Sequence, residues 1–359
     1  MKKYLASCRG LPLLLLLLAG CLPAAVPGPM PTPTLSPRPN GLAADADIFA
    51  KNQRLGRGVN LGNALEAPQT EGEWGMKIEA GFMPLIRAAG FQHVRVPIRW
   101  NAHAVAEAPY TIDPVFFRRI DEVIQQALDA GLVVLINMHN YDDLMLNPPL
   151  NYDRFVALWE QIATHYQSYP PELFFELLNE PNSLLTAERW NPLALRALAV
   201  VRRTNPQRAV VIGPDSYNAV GRLFMLQLPD ADRNLIATVH YYNPFQFTHQ
   251  GAEWAAGSDA WLGTSWTATE AQKTAVLRDF DEVAQWGKQN RRPIYLGEFG
   301  AYSKAQMEYR TLWTAFVARS AEERQFSWAY WEFGAGFGVY DRTARQWNSA
   351  LLQSLIPKP

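Results

Sequence analysis

From about residue 45 onward, short runs rich in Val, Ile, Leu and aromatic residues alternate with longer amphipathic stretches. Uninterrupted apolar runs of this length read as strands buried on both faces, and the 3.6-residue periodicity between them reads as helices laid over those strands. The pattern predicts strands over residues 56–61, 91–97, 132–139, 173–179, 209–213, 235–241, 293–298 and 326–331. Helices are predicted over 77–89, 114–130, 152–169, 187–204, 269–289 and 304–319, with a short one after Ser216. Asp113 followed by Pro114 has the order of a helix cap and first turn. Gly90 and Gly131 each stand between a helix and a strand, where a left-handed residue ends the helix. Strands and helices in strict alternation predict an α/β protein with a single (β/α)8 (TIM) barrel over residues 45–359. A doubly wound open sheet is the competing architecture, but Gly56-Arg57-Gly58-Val59-Asn60-Leu61-Gly62 lacks the glycine spacing of its phosphate turn.

The carboxyl ends of barrel strands are where chemistry is done, and here they carry an unusual set of polar groups. Asn63 and Glu66, Arg95, His139, Asn179 and Glu180, His240 and Tyr242, Glu298, and Trp331 all fall at or just beyond predicted strand ends. Buried charges cost several kcal/mol unless paired or used, so such a ring asks for a function. Glu180 and Glu298 lie more than a hundred residues apart in the chain, yet strands 4 and 7 face each other across a barrel mouth. Two opposed carboxyls are what glycosidic cleavage needs: one protonates the leaving oxygen while the other attacks or activates water. A separation of about 5 Å gives retention of configuration and roughly 6.5–9.5 Å gives inversion. Arg95 would hold one Glu ionised, and a less charged, partly desolvated setting would keep the other protonated. Trp331 offers a face for a sugar ring, with His139, Asn179 and Tyr242 as hydrogen-bonding neighbours.

These motifs, in this order, resemble glycoside hydrolase family 5, the cellulase-type retaining β-glycanases. The likeness runs from Gly58-Val59-Asn60-Leu61-Gly62-Asn63 through Val94-Arg95-Val96-Pro97, Asn137-Met138-His139 and Leu178-Asn179-Glu180-Pro181. It continues through His240-Tyr241-Tyr242-Asn243-Pro244 and Gly297-Glu298-Phe299-Gly300 to Trp328-Ala329-Tyr330-Trp331. The resemblance implies endo-acting hydrolysis of β-1,4 bonds in cellulose-type glucans, with Glu180 as acid/base, Glu298 as nucleophile, and Arg95, His139, Asn179, His240, Tyr242 and Trp331 around them. Asn63, Glu66 and the segment from Phe247 to Trp254 look like a branch of endoglucanases, some of which also cut β-mannans; there His249 and Trp254 would lie along the substrate groove. That branch often carries two His after strand 3, whereas this chain has His139-Asn140, which bears on sugar selectivity. Two alternatives stand beside the glucanase: a mannanase or glucomannanase of the same family, and a surface polysaccharide-binding barrel without the reaction.

Other acidic and His residues read more plainly. Glu176 shares the inward face of strand 4 and suits an ion pair with an inward Arg deep in the barrel. Glu332 and Asp341 come near the last strand end, but Glu332 alternates away from Trp331 and reads as a helix-side or loop residue, and neither is a first choice for the chemistry. No metal-ligand spacing accompanies the His residues, and Asp142-Asp143 suits a solvated loop better than a calcium site, so neither metal nor cofactor is expected.

With 359 residues, 48% of them hydrophobic, and a net charge of −1, the chain has the means for a large core and no electrostatic case for nucleic acid. Twelve Trp and fourteen Tyr exceed what a core requires and suit a polysaccharide partner. Residues 1–21 read as an export signal, and Leu18-Ala19-Gly20-Cys21 resembles a lipoprotein cleavage box with Cys21 as the lipid anchor. Cys8 would leave with the signal, so no disulfide is expected. Residues 22–44 are Pro-rich and suit an extended spacer, placing a monomeric enzyme outside the cytoplasm, at a cell surface or secreted.

Overall fold

The computed structural model describes residues 47–358; the leader, Cys21 and the Pro-rich spacer lie outside them. Eight parallel strands close into a barrel in chain order, with β1 pairing to β8 through Arg57 opposite Trp328. They are β1 (Arg57–Asn60), β2 (His93–Val96), β3 (Val133–Asn137), β4 (Leu173–Glu176), β5 (Val210–Ile212), β6 (Leu235–Tyr241), β7 (Ile294–Phe299) and β8 (Ser327–Tyr330). All eight occupy the runs that hydrophobic patterning picked out. Several stop short of them because the last residues peel off into the loops that carry the polar groups.

Helices fill the intervals and cover the outside of the barrel. The helix Glu270–Asn290 starts at a capping box in which Thr269 and Gln272 satisfy each other's backbone N–H. Gly90, at φ 106°, closes the helix Phe82–Ala89 with its N–H on the carbonyls of Arg87 and Ile86. The expected helix 152–169 instead spans Pro148–His165, since Pro148 and Pro149 lack N–H groups that a first turn would leave unpaired. Asp142 and Asp143 open a short helix, Asp142–Leu146, instead of forming a loop, and Asp142 pairs with Arg99 at 2.8 Å. Patterning did not predict the first helix, Ile48–Leu55, the last, Ser349–Leu355, or the hairpin of Tyr340–Asp341 and Gln346–Trp347.

Alternation along each strand divides the interior in two. Outward residues such as Val94, Val134, Ile136 and Phe175 meet the helices in one continuous core. Inward residues Val133, Leu135, Phe174, Val211, Ile236, Tyr295 and Ala329 form a separate plug, closed at the amino end by Ile48 and Leu55 of the first helix. Above this plug the inward positions turn polar: Asn60, Arg95, Asn137 and Glu176, all fully buried. The active end of the molecule therefore rests on a packed apolar floor.

Candidate active site

Arg95 is the hub of the polar layer. Its Nε and Nη2 donate to Glu176 at 2.6 and 3.0 Å, Nη1 donates to Asn60 Oδ1 at 2.8 Å and to Glu298 at 2.7 Å, and Nη2 also reaches Asn179 Oδ1 at 2.8 Å. Burial works against the cation, but Glu176 and Glu298 outweigh it and hold Arg95 charged, its pKa above the ordinary value. Glu176 thus finds the inward Arg its position called for. A buried pair of this kind holds geometry more than it adds stability.

Glu298 reaches the barrel mouth by a break in pattern. Tyr295 and Gly297 face inward, so strict alternation would send Glu298 out among the helices. The pairing of β6 with β7 slips here, Val239 opposite Leu296 and then His240 opposite Glu298, and this bulge turns the Glu298 side chain inward. Position 297 must be Gly, because a Cβ there would come within 2.8 Å of Thr238 Oγ1 and 3.0 Å of the His240 ring. Glu298 Oε1 accepts from Arg95, and Oε2 accepts from the Tyr242 hydroxyl at 2.9 Å.

Glu180 stands across from it, after β4, in a left-handed conformation at φ 48° that is costly for a residue with a side chain. The Asn182 amide donates to the Glu180 carbonyl at 2.8 Å, and the Tyr217 N–H donates to the carbonyl of Pro181 at 3.1 Å, so the turn is held from both sides. One carboxylate oxygen of Glu180, one of Glu298 and a ring nitrogen of His240 all lie within 4.8 Å of one another.

His240 sits between the two acids, its Nδ1 2.6 Å from Glu180 Oε1 and 3.6 Å from Glu298 Oε2. Burial pushes the His240 pKa down to about 4, so the ring is neutral near pH 7. The Asn218 amide donates to Nε2 at 3.3 Å, which leaves the hydrogen on Nδ1, directed at Glu180. Asn218 is aimed by three consecutive left-handed residues, Ser216, Tyr217 and Asn218, inside what sequence predicts as a plain short helix.

Burial raises both acids, and their different partners set them apart. It pushes Glu180 up to about 7, opposed by Arg95, while a quarter of the side chain (24%) still meets the cleft. Glu298 is raised by burial as well, but His240 and Arg95 oppose that rise, and the guanidinium and the Tyr242 hydroxyl bond its charged form directly. The first proton therefore leaves Glu298, and Glu180 keeps its own.

An open cleft of ≈760 Å³ runs over the pair, and Asn63, His139, Asn179, Glu180, His240, Tyr242, His249, Trp254, Glu298 and Trp331 all border it. His139 accepts from the Asn137 amide at Nδ1 (3.1 Å) and stacks on Trp331 with ring centroids 5.6 Å apart. Gly62 makes room for that indole, since a Cβ would lie 2.7 Å from its edge. His249 stacks on Phe245 at 4.0 Å, and Trp254 remains 62% exposed.

Two residues expected among the substrate contacts lie beneath the cleft instead. Arg95 has no exposed surface and every donor engaged; Glu66 is 2% exposed, and its carboxylate accepts from the N–H groups of Asn63 and Ala64. Their polarity is used to shape the floor. Glu332 is a loop residue as read from sequence, yet it is fully buried, with Oε1 accepting from Ala335 and Phe337. Asp341 caps a turn by accepting from Thr343 and Ala344. Asn140, singled out in sequence for its bearing on selectivity, also borders the cleft, as do Trp74, Tyr217, Tyr302 and Phe337, which sequence reading missed. For Trp74 the available signal was a lone aromatic in the polar run Glu71-Gly72-Glu73-Trp74-Gly75.

Residues 57–336 match the family model described as Cellulase (glycosyl hydrolase family 5). Endoglucanase H of Acetivibrio thermocellus is 36% identical over 325 residues, covering 89% of this chain; the chain spans only about a third (34%) of that longer protein. Among solved structures, Thermotoga maritima Cel5A in complex with cellobiose is 51% identical, with a TM-score of 0.85 over 86% of this chain and 100% of that one. The same protein in complex with mannotriose gives 50% identity, a TM-score of 0.85 and the same coverage.

Proposed function

Since the chain belongs to glycosyl hydrolase family 5, we propose that it hydrolyses internal β-1,4 bonds of cellulose-type glucans by double displacement, with retention. The observation that carries this reading is the distance between the acids: oxygens of Glu180 and Glu298 within 4.8 Å suit a nucleophile and an acid/base, and fall short of the roughly 6.5–9.5 Å that an inverting enzyme needs to seat its attacking water beside the sugar. Glu180 protonates the glycosidic oxygen as Glu298 attacks the anomeric carbon, the leaving chain departs, and a glycosyl ester forms on Glu298. Glu180, now ionised, takes a proton from water as that water displaces the ester, returning both groups to their starting states. Arg95 and Tyr242 hold the nucleophile's charge before attack and take it back when the ester breaks. The neutral His240 keeps Glu180 oriented in both protonation states. Because the cleft is open, a chain can cross it without presenting an end.

Soluble carboxymethylcellulose should yield new reducing ends with a rapid fall in viscosity, and the first product seen by NMR should be the β-anomer. An α-anomer would exclude the double displacement; binding without product would favour the sugar-binding barrel. A second reading, cleavage of β-mannan by the same site, is favoured by the mannotriose complex of the similar Cel5A. Rates on β-glucan, glucomannan and galactomannan separate the two. We also propose export and anchoring through Cys21, tested by whether Cys21→Ser moves the protein out of the membrane fraction.

A further inference from the structure

A second cavity, ≈570 Å³, opens at the amino-terminal end of the barrel, far from the cleft's strand ends. It is bounded by the first helix, the segment before β6, the end of the helix Glu270–Asn290 and the residues leading into β8. Five cations, Arg233, Lys288, Arg291, Arg292 and Arg324, line it, and among the described residues no Asp or Glu does. In a chain of net charge −1 such a concentration is local, not a reflection of composition. A helix carboxyl end favours cations in its last turn, which accounts for Lys288 and Arg291. It accounts likewise for Arg324, which ends the helix Met307–Glu323, but not for Arg233, which comes from the segment before β6.

Most of this charge is left uncompensated. Arg292, 2% exposed, donates to the carbonyls of Asp232 and Pro229, and Arg233 donates to those of Asp230 and Arg291. These are neutral acceptors. The Asp232 carboxylate is already taken by Arg202 at 2.6 Å; among the described residues only Arg324 of the five pairs with acids, Asp281 at 2.6 Å and Glu323 at 3.9 Å. Burial, with Arg233 and Arg291 nearby, pushes the Arg292 pKa down even though Asp232 and Asp230 oppose it. A group in that position gains from an incoming anion.

We propose that this basal pocket binds a phosphate-type anion. Planar guanidinium forks match phosphate oxygens, and the cavity has the size of a small-ligand site. Phe49, 46% exposed at its rim, would pack on an apolar moiety attached to the phosphate. A free phosphate and an anionic lipid headgroup share this chemistry.

The probes are pyrophosphate, followed by calorimetry at constant ionic strength, and vesicles of phosphatidylglycerol compared with phosphatidylcholine, followed by co-sedimentation. Pyrophosphate is expected to bind saturably at one site per chain, and Lys288→Gln/Arg291→Gln should weaken it by about tenfold or more. Both side chains are exposed, so the variant keeps the fold, and hydrolysis of soluble glucan should be unchanged. Binding to phosphatidylglycerol vesicles that pyrophosphate displaces assigns the lipid headgroup; pyrophosphate binding without vesicle binding assigns a soluble phosphate. No saturable binding, or binding that the double variant leaves intact, overturns the proposal.

Discussion

The two halves of the barrel interior are built from the same strands and follow opposite rules. Toward the amino end, Val133, Leu135, Phe174, Val211, Ile236 and Tyr295 interdigitate under the first helix, and their contribution is removal of apolar surface from water. Toward the carboxyl end, Asn60, Arg95, Asn137, Glu176 and Glu298 share one hydrogen-bonded layer in which the charges hold each other in place. One half secures the fold and the other spends stability on position. Two or three residues separate them along β3, β4 and β7, the strands that carry both, as Leu135 from Asn137, Phe174 from Glu176 and Tyr295 from Glu298. Changes in the upper half should therefore act on rate and those in the lower half on stability, and each prediction below tests whether that division holds.

The largest effect belongs to Glu298→Gln, which keeps the shape but removes the attacking charge. Release of reducing ends should fall by ~10⁴-fold or more. Activity within tenfold of the parent would remove Glu298 from its role and with it the reading of the upper half. Glu180→Gln comes next, with a loss of ~10²–10⁴-fold on polysaccharide. An aryl glycoside whose leaving group needs no protonation should lose much less in the first step, a contrast visible in burst kinetics. In the lower half, Phe174→Ala should cost about 3–5 kcal/mol of unfolding free energy by chemical denaturation, with kcat and KM unaltered well below the new midpoint. A rate loss there would show that the two halves are not separable.

How much of this was legible in sequence follows from the same division. The eight strands could be read because the lower half demands unbroken apolar runs, and both acids could be read because polar residues end those runs. What sequence hid is where alternation breaks. Period-2 reading turns Glu298 outward, and only the slip at Gly297 brings it back. Arg95 and Glu66 read as substrate contacts because their polarity is visible while their coverage is not. Asn218, which sets the His240 tautomer, depends on a run of three left-handed residues that carries no sequence periodicity. Trp74 and Tyr217 are exposed on loops, where hydrophobicity has no period to follow.

The smallest effects concern proton affinity, and they sharpen the comparison within the upper half itself. Glu180 must hold its proton to act as the acid, and its pKa lies at about 7, so kcat/KM should decline as pH rises through about 7. Glu298 must be ionised, so the acid limb reports its pKa. Tyr242 donates a stronger hydrogen bond to the charged form of Glu298 than to a protonated one, so losing that hydroxyl raises the Glu298 pKa. Tyr242→Phe should lower kcat roughly tenfold, the weight of one charge-assisted hydrogen bond. It should also move the acid limb to higher pH while leaving the alkaline limb in place, since Glu180 keeps His240 as its partner. The profile would narrow from one side only. A shift of both limbs together would mean that the two carboxyls titrate as one coupled unit, with Arg95 and Tyr242 not assigning the charge to Glu298.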